Sequence, residues 1–511
     1  MMKIMRLKTF YVCITLLFIS GVIQLIGCQP SQERAGPDDS GETKTPDAPG
    51  ESETSDPQEN PPYSGYEFPE ADLGGYTFRI FNATTFGDDR WSSIELTAEQ
   101  ETGDPVNDAV YRRNTLIEEK FNFTITEQIE DRDIVGAKVT RAALAGSDDW
   151  DAVFVGPVVC ASMAARGLFL DLNAISNLSL GSPWWDQNAR QSFSLDGALM
   201  FTATDAHINN CGYMWMTFYN KAIIQDMGMP DLYQVVRDGK WTLDAMHDYA
   251  KAAARDLDGD GKFTGADCFG VTSFPQCILA FTVGMDFRPI TLDNSGYPVI
   301  NRPSERFVSG AEKVRDFLNR ETGLFLGAEK IAGTAGMDQM TISAQVFAAR
   351  KALFFVDVLA SFWGLRNMDD DYGMIPIPKY DEAQKNYYSW MGIAAPTVMI
   401  PKPCVDPERS GLVLDALSAV SSIVLMDGFY KVTVLRKASR DEESTEMLEL
   451  IRANRVFDIA AVYNWGELFN GYRDNIYDLK NESLMTVYER REGATVKAIE
   501  ATMDAFRTAN K

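Results

Sequence analysis

Histidine is scarce in this sequence: only His207 and His247 occur among 511 residues. Two histidines cannot build a His-rich zinc site, and they leave few candidates for histidine-based acid–base catalysis. The sequence also has no GxxxxGK[ST] phosphate loop, no GxSxG nucleophile elbow and no HExxH metal motif. Several common routes to hydrolysis and phosphoryl transfer therefore lack their residues.

Positive charge is also in short supply. The chain has 73 acidic and 48 basic residues, which gives a formal net charge of −25. Such a surface repels phosphate backbones and argues against nucleic acid as the main partner. With 45% hydrophobic and 24% charged residues, the composition is typical of a soluble globular protein, and the length suggests about three domains.

The cysteines do not form a recognisable pattern. Seven are present, of which Cys13 and Cys28 fall in the N-terminal segment described below. The other five are scattered without CxxC spacing, which does not indicate a disulfide framework or a metal cluster. We expect buried free thiols at these positions, with Cys268 and Cys277 the closest pair in sequence: Cys160, Cys211, Cys268, Cys277 and Cys404.

Residues 1–27 have the organisation of a signal peptide. Lys3, Arg6 and Lys8 precede an apolar stretch from Phe10 to Ile26. The final residues, Leu25-Ile26-Gly27-Cys28, resemble the lipobox of bacterial lipoproteins, which implies that Cys28 is lipidated after cleavage. The alternative is an uncleaved membrane helix, although the stretch is barely long enough to span a bilayer.

Residues 29–62 are expected to be a disordered tether. They contain nine acidic residues, seven prolines and no aromatic or branched aliphatic side chain. Such a segment cannot bury enough apolar surface to fold. We therefore predict that it holds a globular body, residues 63–511, away from the membrane.

The first part of that body alternates strand and helix patterns. Two β-prone runs, Tyr76–Ala83 and Phe121–Ile129, are each followed by a helical pattern, and a third apolar run covers Trp150–Val155. This alternation predicts βαβ units and a mainly parallel sheet. Farther on, Met214–Tyr219 and Ala352–Val358 are also predicted strands, and the last 110 residues are predicted to be mostly helical.

Several short runs resemble the extracellular solute-binding proteins of bacterial ABC importers, namely the sugar-binding family 1. Their order and spacing match over about residues 75–400, although each run is short: Trp150–Phe154, Gly167–Leu172, Tyr219–Lys221, Trp241–Thr242 and Tyr372–Pro378. Two further runs, Pro376–Glu382 and Arg440–Ser444, are similar to a lipoprotein branch found in Gram-positive anaerobes.

The resemblance implies an α/β fold of the two-lobed, periplasmic-binding-protein-like type II, with a hinge and a mostly helical C-terminal part. Ligand would bind between the lobes, which would close around it. Lobe 1 would comprise residues 63–204 plus 396–455, and lobe 2 residues 205–395 plus 456–511.

A separate motif suggests a calcium site. Residues 256–267 have EF-hand spacing, with acidic residues at positions 1, 3, 5 and 12 and glycine at position 6. The predicted ligands are Asp256, Asp258, Asp260, the Lys262 carbonyl, Thr264 and Asp267. Asp267 is shorter than the usual glutamate at position 12. The alternative is a solvated acidic turn without metal; a bound ion would be structural, since it would neutralise crowded carboxylates.

Sugar sites combine flat aromatic surfaces with polar groups that bind hydroxyls. The resemblance places four tryptophans near the cleft and makes them the preferred ligand contacts, Trp184, Trp185, Trp363 and Trp390, with Asp205 as a polar contact after a strand end. Core packing is the alternative for each tryptophan, and Trp241 is assigned to the core. The residues Asp88, Asp89 and Arg90 follow a predicted strand and are further polar candidates, or else solvated loop charges.

We therefore expect a lipid-anchored protein on the extracellular face of the cytoplasmic membrane. It would capture a carbohydrate, in particular an oligosaccharide, and deliver it to ABC permease subunits, as a monomer and without catalysis. A peptide receptor is the alternative within binding proteins. A surface glycan hydrolase is a further alternative, because paired carboxylates are common in an acidic chain, although no spacing here singles out a pair.

Overall fold

The computed structural model of the protein describes residues 66–84, 96–319, 322–328, 331, 338–365, 367–429 and 443–509. The predicted signal peptide, Cys28, the tether and the residues Asp88, Asp89 and Arg90 lie outside the described residues.

The strands and helices are numbered here in chain order. The strands are β1 Tyr76–Thr84, β2 Phe123–Asp131, β3 Ala152–Val155, β4 Trp215–Asn220, β5 Phe269–Ser273, β6 Ile290–Leu292, β7 Pro298–Ile300, β8 Phe325–Gly327, β9 Ala352–Val358, β10 Tyr372–Ile375, β11 Ser389–Trp390, β12 Thr397–Met399 and β13 Arg455–Val456. The helices are α1 Pro105–Phe121, α2 Arg132–Ala145, α3 Pro157–Ala164, α4 Gln187–Phe193, α5 Asn209–Gly212, α6 Lys221–Met227, α7 Leu232–Arg237, α8 Leu243–Ala253, α9 Cys277–Gly284, α10 Glu305–Leu318, α11 Gln339–Ala348, α12 Pro407–Asp427, α13 Glu443–Ala453, α14 Ile459–Tyr463, α15 Leu468–Tyr477 and α16 Leu484–Ala509.

Two sheets organise the body. The sheet of the first half has the order β12-β3-β1-β2, and β1 is parallel to both of its neighbours. The sheet of the second half has the order β10-β4-β9-β5-β8, with β5 parallel to both β8 and β9. The predicted strand–helix alternation and mainly parallel pairing at the start of the body are confirmed.

Local sequence explains the ends of these elements. The Asp104 carboxylate caps α1 by accepting hydrogen bonds from the backbone N–H of Val106 and Asn107, and the helix ends at Asn122, which is left-handed with φ of 51°. Thr242 caps α8 as predicted, because its hydroxyl accepts from the backbone N–H of Ala245. These caps fix where α1 and α8 begin and where α1 ends.

Helix α12 is long and apolar enough to cross a membrane by length and composition, but most of it is buried. It packs against α1 in the first half. A helix that is apolar on most of its faces is expected in the core of a large domain. Its burial therefore makes α12 a core helix of the first half.

Two chain segments connect the halves: the first crossing, residues 205–214, and the second crossing, residues 391–396. They contact each other through a β-bridge between Met214 and Met391, and the backbone N–H of Gly392 donates to the Tyr213 carbonyl at 3.0 Å. The first crossing leads into β4 and the second into β12. The two connections between the halves thus lie side by side, one at the start of β4 and the other at the start of β12.

The C-terminal part is mostly helical, as predicted. The lobe boundaries remain predictions, but one contact differs from them: α13 lies in the segment assigned to lobe 1, yet it packs against β10 of the second half. The chain has therefore reached the second half by Glu443, earlier than the sequence suggested.

The cysteines of the described residues have no disulfide partners. Cys160, Cys211, Cys277 and Cys404 are buried, and Cys268 is half-buried. The expectation of buried free thiols is confirmed at four of the five positions.

Candidate functional site

The carboxyl ends of the parallel strands converge on the two crossings. In the first half, Gly156 directly follows β3 and lies so close to the second crossing that a Cβ there would be 2.9 Å from the Ile393 carbonyl oxygen. In the second half, the last residue of β9, Val358, pairs with Trp215 at the end of the first crossing. Ligands of open α/β sheets bind beyond the carboxyl ends of strands, so this interlobe edge is the candidate site.

Three adjacent strands of the second half bring aromatic and amide groups to that edge. Trp215 begins β4, Trp363 lies in the 3-10 helix after β9, and Gln276 lies between β5 and α9. Trp363 is half-buried and stacks on Phe362 at 4.6 Å between ring centroids. A partly exposed aromatic ring and a polar amide at the same edge of a sheet are suited to the apolar and hydroxyl faces of a sugar.

Gln276 was not singled out by the sequence. Its Oε1 atom is buried and has no hydrogen-bond partner within the described part of the chain. Gln276 also precedes α9, whose first turn receives no side-chain cap. Most buried polar atoms are paired, so the unpaired oxygen at this edge needs water or a ligand. A glutamine between a strand and a helix is a common loop residue, and this is why no sequence signal distinguished it.

The first half contributes polar groups near the carboxyl end of β1. Asn82 Nδ2 donates to Glu127 Oε1 at 2.6 Å, and Thr97 Oγ1 donates to Glu127 Oε2. Asn82 pairs in register with Phe154 of β3, next to the strand's last residue. Burial raises the pKa of Glu127 above its usual range, although both hydrogen bonds oppose that shift. These groups thus form a polar cluster at the first half's side of the edge.

The predicted pair Trp184 and Trp185 is tied to the core of the first half. Both indole N–H groups donate to the same oxygen, Oδ1 of Asp415 in α12, at 3.1 and 2.8 Å. Asp415 Oδ1 also accepts from the Ser179 backbone N–H at 3.0 Å. Trp185 is only 1% exposed, and Trp184 is half-buried. Trp185 therefore offers no ring face to a ligand, which corrects the expectation for this residue.

Trp390 is also inside the core, with 1% exposure. Its ring stacks on Trp215 at 5.5 Å and approaches Phe469 at 6.4 Å. Both ring contacts enclose Trp390, so it exposes no ring face for a ligand to stack on, which again corrects the expectation. Trp241, assigned to the core by its sequence context, is fully buried as predicted.

Asp205 differs most from its predicted role as a hydroxyl-binding residue. Its carboxylate is 6% exposed and accepts from Arg452 Nη2 at 3.0 Å to each oxygen. Burial raises the pKa of Asp205, and the Arg452 guanidinium opposes that shift. Both oxygens already have a charged partner, so Asp205 has little capacity left for a ligand.

The predicted calcium loop brings three of its carboxylates together. Oxygens of Asp256, Asp258 and Asp260 lie within 4.8 Å of one another. The Asp256 carboxylate accepts from the backbone N–H of Gly259 at 2.7 Å and of Gly261 at 2.8 Å, which fixes the turn. Hard carboxylate oxygens at such a turn are suited to Ca²⁺.

Asp267 does not join those three carboxylates. Its oxygens accept from the backbone N–H of Leu257 at 2.9 Å and of Thr264 at 2.7 Å. These backbone hydrogen bonds lower the pKa of Asp267 below its usual value. Thr264 Oγ1 donates to the same carboxylate at 3.2 Å, and the Lys262 N–H donates to Asp260. The loop therefore fits a cation at positions 1, 3 and 5, whereas position 12 is engaged by the loop's own backbone.

Comparison with known proteins identifies the fold. No protein-family model and no curated protein matches the chain. Among solved structures, the galacto-N-biose-/lacto-N-biose I-binding protein of the ABC transporter from Bifidobacterium longum, in complex with lacto-N-biose, is 11% identical, with a TM-score of 0.54 over 84% of this chain and 98% of that one. A solute-binding protein of an ABC transporter from Thermotoga lettingae, bound with α-D-tagatose, is 12% identical, with a TM-score of 0.52 over 83% and 100%.

A third similar structure is the ABC substrate-binding protein from Listeria monocytogenes in complex with cycloalternan. It is 11% identical, with a TM-score of 0.51 over 85% of this chain and 98% of that one. These neighbours are binding proteins of the two-lobed, periplasmic-binding-protein-like class. The predicted fold class is confirmed; at these identities the likeness concerns the fold alone.

Proposed function

We propose that this protein is the solute receptor of an ABC importer and captures a carbohydrate, in particular an oligosaccharide, between its two halves for delivery to a permease. The observation that carries the proposal is the interlobe edge, where Trp363 and Gln276 follow adjacent strands of the second sheet. The sugar ligands named for the similar structures support the same ligand class. The work of the protein would be binding and closure without bond making.

Calorimetric titration of the full chain against a panel of mono- and oligosaccharides and a panel of peptides tests the ligand class. We expect binding of at least one sugar and of no peptide. Trp363→Ala should weaken that binding by about tenfold, which corresponds to about 1.4 kcal/mol. Trp150→Ala is the matched control. Trp150 is also half-buried and stacked, at 4.4 Å on Phe81, but it precedes β3 and so lies at the end of the first sheet that is remote from the crossings.

Other outcomes of that experiment contradict the proposal. Binding of peptides without sugars would indicate the peptide receptor instead. Release of shorter products from an oligosaccharide would show a glycan hydrolase. Equal losses of affinity in Trp363→Ala and Trp150→Ala would remove the interlobe edge as the site.

We also propose that the protein is anchored outside the cell by a lipid on Cys28 and belongs to the lipoprotein branch of Gram-positive anaerobes. The support is the lipobox-like Leu25-Ile26-Gly27-Cys28 and the acidic, proline-rich stretch that follows it. Labelling with a radioactive fatty acid during expression should mark the parent protein but not Cys28→Ser. An equally labelled Cys28→Ser protein would contradict the anchor.

The loop 256–267 is proposed to bind a structural Ca²⁺ through Asp256, Asp258 and Asp260, with the Lys262 carbonyl and Thr264 as further oxygen ligands. When bound, the ion would neutralise three crowded carboxylates. For Asp267 to contribute, its hydrogen bonds to Leu257 and Thr264 would have to be exchanged for the metal. Mass spectrometry of the native protein should find one calcium per chain in the parent and none in Asp258→Asn, whereas Asp248→Asn on α8 should keep it.

A further inference from the structure

Helix α13 is held on the second half by its first two turns. Arg237 of α7 donates to Glu443 at 2.8 Å and to Glu446 at 2.6 Å, and Tyr233 Oη lies 2.7 Å from Ser444 Oγ. The helix also packs against β10. These contacts make α13 part of the second half in any motion of one half against the other.

The end of α13 and the following strand reach the first half. Arg452 pairs with Asp205, and the guanidinium of Arg455 in β13 pairs with Asp186. Both aspartates are anchored in the first half by their backbones: Asp205 N donates to the Trp184 carbonyl and Asp186 N to the Ala203 carbonyl, each at 3.0 Å. The Arg452–Asp205 pair therefore connects the halves directly. Arg455 lies where the halves meet, because β13 pairs with β11 while the Arg455 carbonyl accepts from Asn188 Nδ2 of the first half at 3.0 Å.

The carboxylates of these ion pairs are shielded from water. The side chains of Asp186 and Asp205 are 4% and 6% exposed, whereas their partners Arg455 and Arg452 are 10% and 32% exposed. A buried carboxylate without its guanidinium is strongly unfavourable, since the desolvation of the charge is then uncompensated. Each pair is therefore expected to stay together unless the surrounding structure opens.

Their position coincides with the segments that connect the halves. Asp205 is the first residue of the first crossing, and Arg455 pairs in register with Ser389 in β11, directly before the second crossing. Atoms near the axis of a hinge rotation move least, so short contacts there can survive a closure that separates more distant ones.

We propose that the ion pairs Asp205–Arg452 and Asp186–Arg455 form the pivot of the interlobe hinge, remaining intact while the halves open and close and restricting the motion to one axis. Asp205 is then a positioning residue and not a ligand contact. The inference rests on the two-lobed fold and is independent of which solute binds.

The test is the distribution of distances between the halves, measured by double electron–electron resonance on the full chain without ligand. Spin labels at Leu144→Cys in α2 and Asp248→Cys in α8 use exposed positions of the two halves, with Cys28 and Cys268 replaced by serine. Arg452→Gln should broaden the distribution by about half or more, because a hinge without its pivot samples additional orientations. Arg452→Lys, which retains the charge, should largely restore the parent width.

Arg490→Gln is the control, because it breaks an ion pair with Glu482 in which the arginine is 53% exposed. It should leave the distribution unchanged. If Arg452→Gln does not fold, Asp205→Asn is the second variant: it removes the charge at constant size and should broaden the distribution in the same direction. A parent-like distribution in whichever of these two variants is folded, as judged by circular dichroism, would overturn the proposal. A protein that binds no sugar but shows the broadening would still support it.

Discussion

Asp186 and Asp205 lie beside the first crossing and are almost fully buried, whereas Asp258 and Asp260 lie on an exposed loop. The buried carboxylates each have a guanidinium partner. The exposed ones lie within 4.8 Å of each other and of Asp256, and each accepts a hydrogen bond from a backbone N–H of the loop, Asp258 from Asp260 and Asp260 from Lys262. At these two places, burial of a carboxylate is matched by an internal guanidinium, while the exposed carboxylates leave room for a cation from solution.

The largest effect is expected from removing the arginine of the buried ion pair Asp186–Arg455. Arg455→Met should lower the free energy of unfolding by about 3 to 5 kcal/mol, because the buried Asp186 would lose its cationic partner and, among the described residues, keep only the hydrogen bond from the Ala189 backbone N–H. Urea unfolding followed by circular dichroism measures the change. The exposed Arg490→Met should cost less than about 1 kcal/mol. Equal losses of unfolding free energy in Arg455→Met and Arg490→Met would show that the buried pair contributes no more to stability than the exposed one.

Calcium should stabilise the protein through the exposed carboxylates of the loop 256–267. At about 100 times its dissociation constant, the ion should stabilise the folded protein by about 2.7 kcal/mol. Calorimetry should therefore show a higher Tm in calcium than in EGTA for the parent, and no such difference for Asp258→Asn. A parent Tm that is the same in both buffers would contradict a calcium site in this loop.

His207 is a buried basic side chain, and its burial should make the stability of the protein depend on pH. Burial, with a smaller contribution from Arg113, lowers the pKa of His207 to about 3. The stability that comes with neutral His207 is complete above the unfolded-state pKa of about 6.5 and is lost as the pH falls below it. Acidification from pH 7.5 to 5 should remove about 2 kcal/mol through this residue alone.

The stability of His207→Asn should consequently depend less on pH than that of the parent over this interval. His247→Asn is the control, since it replaces the other histidine of the chain, which is partly exposed on α8. Parallel pH profiles for the parent and His207→Asn would contradict the prediction.

The smallest effect should come from Asp260→Asn in EGTA. The substitution removes one of three mutually repelling charges and keeps an oxygen to accept from the Lys262 N–H. We expect a slight rise in Tm, while Asp248→Asn should cause none. A fall in Tm would show that the three carboxylates do not repel one another appreciably without metal.

Local sequence was sufficient for much of the fold. The strand β9 and the cap at Thr242 depend on neighbouring residues, and both were predicted with the correct positions. The roles of Trp185 and Asp205 depend instead on Asp415 and Arg452, which lie 230 and 247 residues away in the chain. Side chains with such distant partners cannot be assigned to core or cleft from periodicity and spacing.

The candidate site likewise contains residues that the sequence indicated and residues that it did not. The position of Trp363 beyond a strand was readable from the sequence, since β9 is an uninterrupted apolar run. Gln276 is distinguished only by its side-chain oxygen, which is buried and unpaired within the described residues. Asp267 matched the spacing of a calcium ligand, but the local backbone competes for both of its oxygens.

The shared oxygen of Asp415 also has an optical consequence. Trp184 and Trp185 are fastened to one carboxylate of the first half, so their fluorescence should remain constant when solute enters. A change in indole emission during a titration would then report on the remaining tryptophans, of which Trp363 lies at the interlobe edge. The protein thereby contains its own reporter and its own internal reference.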